Sequence, residues 1–283
     1  MFDGSGDLDF SSTLERAKRN QLVGVCGQSK AHSELLSSII DYSYERREDK
    51  KAEEPEDYKK YVYTGRAKAE EGEFPFFTIN ALSLNGEDWL CSGSLIDEDW
   101  AIIPANCLYR GGWDIEDIKI KVGLGKTNLD DDNDDVGEWL KVKGYKVHPD
   151  FDFPYNNLAI LKIEKPKSVS TVCYPNANTH NTCFPEGIVC TSVGINRGGD
   201  MISRPMLSQP AQICKNMYLN ENIDPSSFSN YHKCMGSMHQ KPQKLCDWRP
   251  GGSMLYCRRP NGPWILSGIE DFPESCTSSP ELG

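Results

Sequence analysis

The chain has 283 residues, 38% of them hydrophobic, with six Trp, twelve Tyr and ten Phe, enough to bury a real core and too aromatic for a disordered polymer. A formal charge of −11 disfavours nucleic acid or an anionic membrane surface as principal partner. No apolar run approaches the roughly 18 residues of a membrane span, and the opening Met1-Phe2-Asp3-Gly4-Ser5-Gly6 has neither the basic nor the apolar region of a secretory signal.

In chain order, residues 1–62 stand apart from the rest. Stretches 12–19 and 32–44 carry weakly amphipathic helical spacing, with Leu35, Leu36, Ile39 and Ile40 on one face. Residues 45–60 form a dense mixed-charge run that reads as a solvated linker or an exposed helix. From Phe74 onward the pattern changes to short apolar stretches at 76–84, 100–103, 118–122, 139–147, 158–163, 188–194, 254–257 and 264–269. Gly, Pro, Asn and Asp separate them, which predicts an all-β sandwich or barrel. No strand–helix alternation of the βαβ kind is present.

Eleven cysteines stand at 26, 91, 107, 173, 183, 190, 214, 234, 246, 257 and 276. None forms a tight Cys-x-x-Cys pair, and no two of the five histidines lie within five residues of each other, so a structural zinc site is not expected. Scattered cysteines in a loop-rich chain fit disulfides in an oxidising compartment; the alternative is a cytosolic chain with free thiols. Secretion is the expectation, with the signal segment removed or lying outside this sequence.

Several landmarks then fall in a telling order. Gly72-Glu73-Phe74-Pro75 precedes a strand. Leu90-Cys91-Ser92-Gly93-Ser94-Leu95-Ile96 is followed by Trp100-Ala101-Ile102-Ile103-Pro104-Ala105-Asn106-Cys107. His148-Pro149 leads to Asn156-Asn157-Leu158-Ala159-Ile160-Leu161, and Val172-Cys173-Tyr174-Pro175 comes next. The stretch from Cys246 to Cys257 precedes Trp264-Ile265-Leu266-Ser267-Gly268-Ile269. Together these resemble the chymotrypsin/trypsin family of serine proteases over residues 63–283. The resemblance implies two antiparallel six-stranded β-barrels side by side, behind an N-terminal segment (1–62) that is partly helical or extended and resembles a light chain or propeptide.

The same resemblance implies a disulfide framework: Cys91 with Cys107, Cys190 with Cys257, Cys214 with Cys234, Cys246 with Cys276, and Cys26 with Cys173 as a tether for the N-terminal segment. Cys183 is left over, either for an intermolecular bridge or as a buried inert thiol.

Peptide hydrolysis in this family needs a hydroxyl nucleophile, an imidazole base and a carboxylate that orients the base. The matching positions here are Pro250, Asn106 and Asn157. An amide cannot take up a proton at neutral pH, and proline carries no hydroxyl. The oxyanion hole is affected too: Pro250 lacks an N–H, and Trp248 replaces a glycine that lets substrate approach. Val62 stands where relatives are cut after Lys or Arg, and Arg249 stands where an Asp receives the new terminus. In the specificity pocket Lys244 occupies the position that is Asp in trypsin, and Asp271-Phe272-Pro273 replaces Ser-Trp-Gly. The expectation is a protein that is not an enzyme.

A relocated triad through Ser253 and His148 is disfavoured, because geometry rather than presence makes a triad. The acidic stretch 130–135 lies near the calcium loop of trypsins, but Lys126 replaces its first acidic ligand, so a solvated loop tip is preferred over Ca²⁺. No cofactor, no metal and no Asn-x-Ser/Thr sequon is expected. Relatives continue into a further strand and helix beyond the position of Cys276, so a longer natural chain is expected. The functional expectation is a secreted, non-catalytic homologue that binds protein partners as cofactor, scaffold or decoy. The alternatives are a subunit of an extracellular assembly linked through Cys183, and a residual hydrolase.

Overall fold

A computed structural model describes residues 26–28, 34–49, 67–109, 118–129, 137–153, 155–174, 185–196, 198–220, 224–228, 232–237 and 248–270. One helix opens this set, α1 (Glu34–Glu48). The strands that follow are β1 (Ala67–Lys68), β2 (Phe77–Leu84), β3 (Glu87–Asp97), β4 (Trp100–Ile103), β5 (Lys119–Leu124), β6 (Glu138–Val147) and β7 (Ala159–Ile163). The second half holds β8 (Val189–Asn196), β9 (Met201–Gln209), helix α2 (Ala211–Asn220), β10 (Cys234–Ser237), β11 (Trp248–Cys257) and β12 (Ile265–Glu270).

The first barrel closes in the order β2-β3-β4-β7-β6-β5, so every strand has both edges paired. Its filling follows from period-2 alternation: Leu82, Leu95, Ala101, Ile103, Val122, Leu161 and Ile163 are all essentially inaccessible. The second sheet runs β1-β9-β8-β11-β12, with β10 also on β9. It curls as a half-barrel, and among the described residues no strand joins β10 to β12. The mostly β, two-barrel expectation therefore holds, with one barrel closed and the other curled.

Aromatic side chains join the halves. Tyr256, fully buried on β11, stacks on Phe74 at 5.9 Å and meets Phe76 edge-on at 5.0 Å, while Phe74 also touches Trp264 at 5.4 Å. Beside them the Ser94 and Tyr256 hydroxyls meet at 2.6 Å, and the Ser92 hydroxyl donates to the Gly252 carbonyl at 2.8 Å. Burial pushes the Tyr256 phenol far above its ordinary range, opposed only by the Ser94 hydrogen bond.

The N-terminal segment contributes to this core. Leu36, Ile39 and Ile40 of α1 share one buried cluster with Phe74, Val193 and Trp264. Ser43, one turn on, donates to the Ile40 carbonyl at 2.6 Å and accepts from the Val189 N–H at 3.0 Å, so it satisfies a donor at the start of β8. Arg258 is 6% exposed; its guanidinium lies over Trp264 and donates to Ser37 at 2.7 Å. Burial lowers the Arg258 pKa, and the Asp41 carboxylate works against that. The charged run predicted as linker or exposed helix begins inside α1, whose last residues, Glu45 to Glu48, are exposed. Upstream, Gly27 has φ +67°, and a Cβ there would sit 2.2 Å from the Trp264 carbonyl oxygen, so only glycine allows that approach.

Among the described residues four disulfides are formed: Cys26–Cys173, Cys91–Cys107, Cys190–Cys257 and Cys214–Cys234. All four are pairs that the family resemblance implies. Cys183, Cys246 and Cys276 lie outside the described residues.

Two predictions follow from this packing. Ile40→Ala removes a fully buried side chain and should cost about 2–5 kcal/mol, read as a lower midpoint in chemical denaturation. Asp200 accepts from Lys68 and Asn128 at 2.8 and 2.6 Å, and the Lys68 hydrogen bond leads the causes that hold its carboxyl below the ordinary 3.8. A depressed carboxyl stabilises the fold above its unfolded pKa and loses that contribution as pH falls through the folded value. Asp200→Asn should therefore flatten the stability curve below about pH 4, with a smaller acid loss than the parent protein in pH-dependent urea melts.

Candidate functional site

The cleft between the barrels is where the family resemblance places chemistry. Its first component stands on a 3₁₀ turn, Ala105–Leu108, that follows β4. Pro104, with φ −62° and ψ 135°, turns the chain into it, as proline's fixed φ favours. The turn is clamped from behind: Cys107 is bonded to Cys91 on β3, and the Trp89 indole N–H donates to the Cys107 carbonyl at 3.0 Å. Asn106 is thereby held at the inner end of the first barrel.

Asn157 arrives from the connection between β6 and β7. Asn156 has φ +52°, a left-handed conformation that asparagine tolerates, and its side-chain amide donates to the Asp150 carbonyl at 2.7 Å. The His148 N–H bonds the Leu158 carbonyl at 2.9 Å, closing the loop. This geometry carries Asn157 to the 3₁₀ turn, where its Oδ1 accepts the Asn106 backbone N–H at 2.8 Å. Two of the three positions singled out in the sequence are thus joined directly.

The third position, Pro250, lies on β11 where the ladder is interrupted. Trp248 pairs with Asn196 and Ser253 with Gly194, with a register shift between them. Residues 249–252 therefore bulge out of the β8–β11 ladder, and the Gly252 carbonyl at the end of the bulge is tied to Ser92 of the first barrel. Trp248 starts the same strand. Lys244, Asp271, Phe272 and Pro273, the expected pocket positions, lie outside the described residues, as do the acidic stretch 130–135, Val62 and Cys183.

The structure does not bring Ser253 and His148 together. Ser253 is wholly buried in the second sheet, its hydroxyl 2.6 Å from that of Ser192. His148 belongs to the first barrel's β6–β7 connection, and its Nδ1 accepts the Asp150 N–H at 3.1 Å. Lys126 is 2% exposed, so it is an interior residue and not a surface substitute.

One arrangement had no forewarning in the sequence. Tyr155, two residues before Asn157, meets His232 edge-on at 5.8 Å; His232 lies against Phe228 at 5.5 Å, and Phe228 against Tyr218 of α2 at 6.0 Å. This aromatic row links the loop carrying Asn157 to the segment ahead of β10. Widely separated single aromatics in polar stretches give no periodic signal. The Ser92–Gly252 bond was equally hidden, since a serine in Cys-Ser-Gly-Ser names no partner.

Residues 63–282 match the family model described as Trypsin. The chain belongs to the trypsin family. Among relatives of this trypsin-family chain, clotting factor C of Tachypleus tridentatus is 27% identical over 216 residues, which are 68% of this chain and 21% of that protein. Coagulation factor IX of Cavia porcellus is 24% identical over 232 residues, 77% of this chain and 75% of its own length. Limulus clotting factor C of Carcinoscorpius rotundicauda is 27% identical over 216 residues, again 68% of this chain and 21% of that protein. The chain thus spans about a fifth of the clotting factor C proteins it matches.

The Asn106–Asn157 bond makes a specific prediction. Asn157→Leu leaves the Asn106 N–H without its acceptor in a part-buried setting, and should cost about 1–3 kcal/mol. Asn157→Asp keeps the acceptor and should leave stability near the parent value, both read from thermal or urea melts.

Proposed function

We propose that this trypsin-family chain is a secreted, non-catalytic protease homologue that acts by binding, as cofactor, scaffold or decoy, in an extracellular proteolytic pathway. One observation carries the reading: Asn157 Oδ1 accepts the Asn106 backbone N–H at 2.8 Å, so the base and carboxylate positions of the family adjoin, yet both carry amide side chains. A carboxamide neither removes a proton from a nucleophile at neutral pH nor stabilises an imidazolium. Pro250, at the nucleophile position, has no hydroxyl to acylate and no backbone N–H to offer an oxyanion. Removing one oxyanion donor alone costs about 10²–10³ in rate, and members of a triad act as a unit.

The extracellular setting is supported by four disulfides in the described residues, which form and persist in oxidising compartments. Among those residues no helix is long and apolar enough to cross a membrane. Protein partners from a proteolytic cascade are proposed because relatives carry the names of clotting factors.

A fluorophosphonate serine-hydrolase probe tests the catalytic half of this proposal. Under conditions in which trypsin is fully labelled, this protein should remain unlabelled, and Asn106→His combined with Asn157→Asp should stay unlabelled because Pro250 still offers no oxygen. Labelling that disappears on Ser253→Ala would overturn the reading.

A further inference from the structure

The outer face of the first barrel carries a charge arrangement at odds with the molecule around it. On β5, Lys119 and Lys121 point outward while Ile120 and Val122 fill the barrel; on β6, Trp139, Lys141 and Lys143 are exposed. The register sets Lys121 directly opposite Lys141, and like charges facing each other across strands are destabilising. Lys119 and Lys143 extend the same face one step along the two strands. None of the four forms an ion pair with a described residue; Lys68, Lys162 and Lys165 pair with carboxylates instead. Among the described residues two carboxylates border the cluster, Glu164, which accepts the Lys141 backbone N–H, and Glu138, which accepts the Lys167 N–H; the acidic stretch 130–135 between the two strands lies outside the described residues. On the other flank β2 presents only Ala81 and Ser83.

Lysines often guard a sheet edge against unwanted pairing, but β5 and β6 are interior strands of a closed barrel and have no edge to guard. The cluster therefore costs stability without that return, in a chain whose net charge is −11. Trp139 adds a flat apolar element. Its indole lies over Gly123, where an added Cβ would be 3.0 Å from the ring, and its outer side remains 37% exposed.

We infer that this face of β5 and β6 binds a sulfated polysaccharide, its sulfates against Lys119, Lys121, Lys141 and Lys143 and a sugar ring against Trp139. Strand spacing of about 4.8 Å and two-residue steps of about 6.7 Å give a close two-by-two grid of point charges, matching a polymer with densely repeated anions. A peptide is a poorer fit. Both strands have their edges paired, so no strand can be added to them.

Retention on immobilised heparin, with a heparin oligosaccharide as free competitor, tests this directly. The protein should stay bound above about 0.15 M salt, where weak surface attraction is screened. Lys121→Glu with Lys141→Glu should weaken binding by about tenfold or more, whereas Lys215→Glu with Lys233→Glu, equal in charge but placed on α2 and just ahead of β10, should leave it unchanged. Lys119→Gln with Lys143→Gln, a milder pair, should give a smaller loss, and Trp139→Ala should lower affinity without changing its salt dependence. Thermal melts of a single Lys121→Glu variant should match or exceed the parent, since the like charges facing each other at Lys121 and Lys141 become opposite ones. No retention at that salt, equal losses in the two charge-reversed variants, or competition by poly-glutamate as effective as by the heparin oligosaccharide would each overturn the assignment; the last would point to an acidic protein segment.

Discussion

The fold depends on the packing of Tyr256 between the two sheets. Its ring is stacked by Phe74 and met edge-on by Phe76, from the segment that opens the first barrel, and its hydroxyl is fixed by Ser94. A fully buried phenol needs such a partner, because an unmet hydroxyl in an apolar core costs more than the bond returns. Since Ser94 and Ser92 lie on β3 and their partners Tyr256 and Gly252 on β11, the two sheets are locked in one relative position. That position decides where Asn106, Asn157 and the β11 bulge sit with respect to one another.

Much of this architecture is legible in the sequence. β5 opens with clean alternation, exposed Lys119 and Lys121 against buried Ile120 and Val122, whereas β2 and β7, buried on both faces over most of their length, are legible as short apolar runs. The disulfide pairs come only through family resemblance, since spacing alone leaves connectivity open. β9 escaped notice: Pro205 interrupts it, and its burial on both faces gives no alternation. β10 is four residues long and α2 carries only a weak apolar face. β1 is too short to show any period, and is fixed by the Lys68–Asp200 pair.

The site shows a similar division. Asn106 and Asn157 were identifiable by their neighbours, and their contact follows from local geometry: a proline-led turn, a disulfide behind it and a left-handed Asn156. What the sequence could not convey was that an amide oxygen would satisfy a backbone N–H there. The substitution keeps the hydrogen-bonding role of the position while removing its charge, so the scaffold can persist independently of the chemistry proposed to be absent. The Tyr155–His232 contact between the two halves was likewise invisible, because its partners are far apart in the chain.

The tether at Cys26 has a practical corollary. α1 is packed into the core it shares with Trp264, and Cys26 is bonded to Cys173 only upstream of that helix. Scission of the backbone anywhere between Asp49 and Ala67 would therefore leave the amino-terminal fragment doubly retained, by burial and by covalent sulfur. Such a nicked molecule would migrate as one body until reduced and denatured, so a cut there would be invisible to any assay that scores fragment release under native conditions.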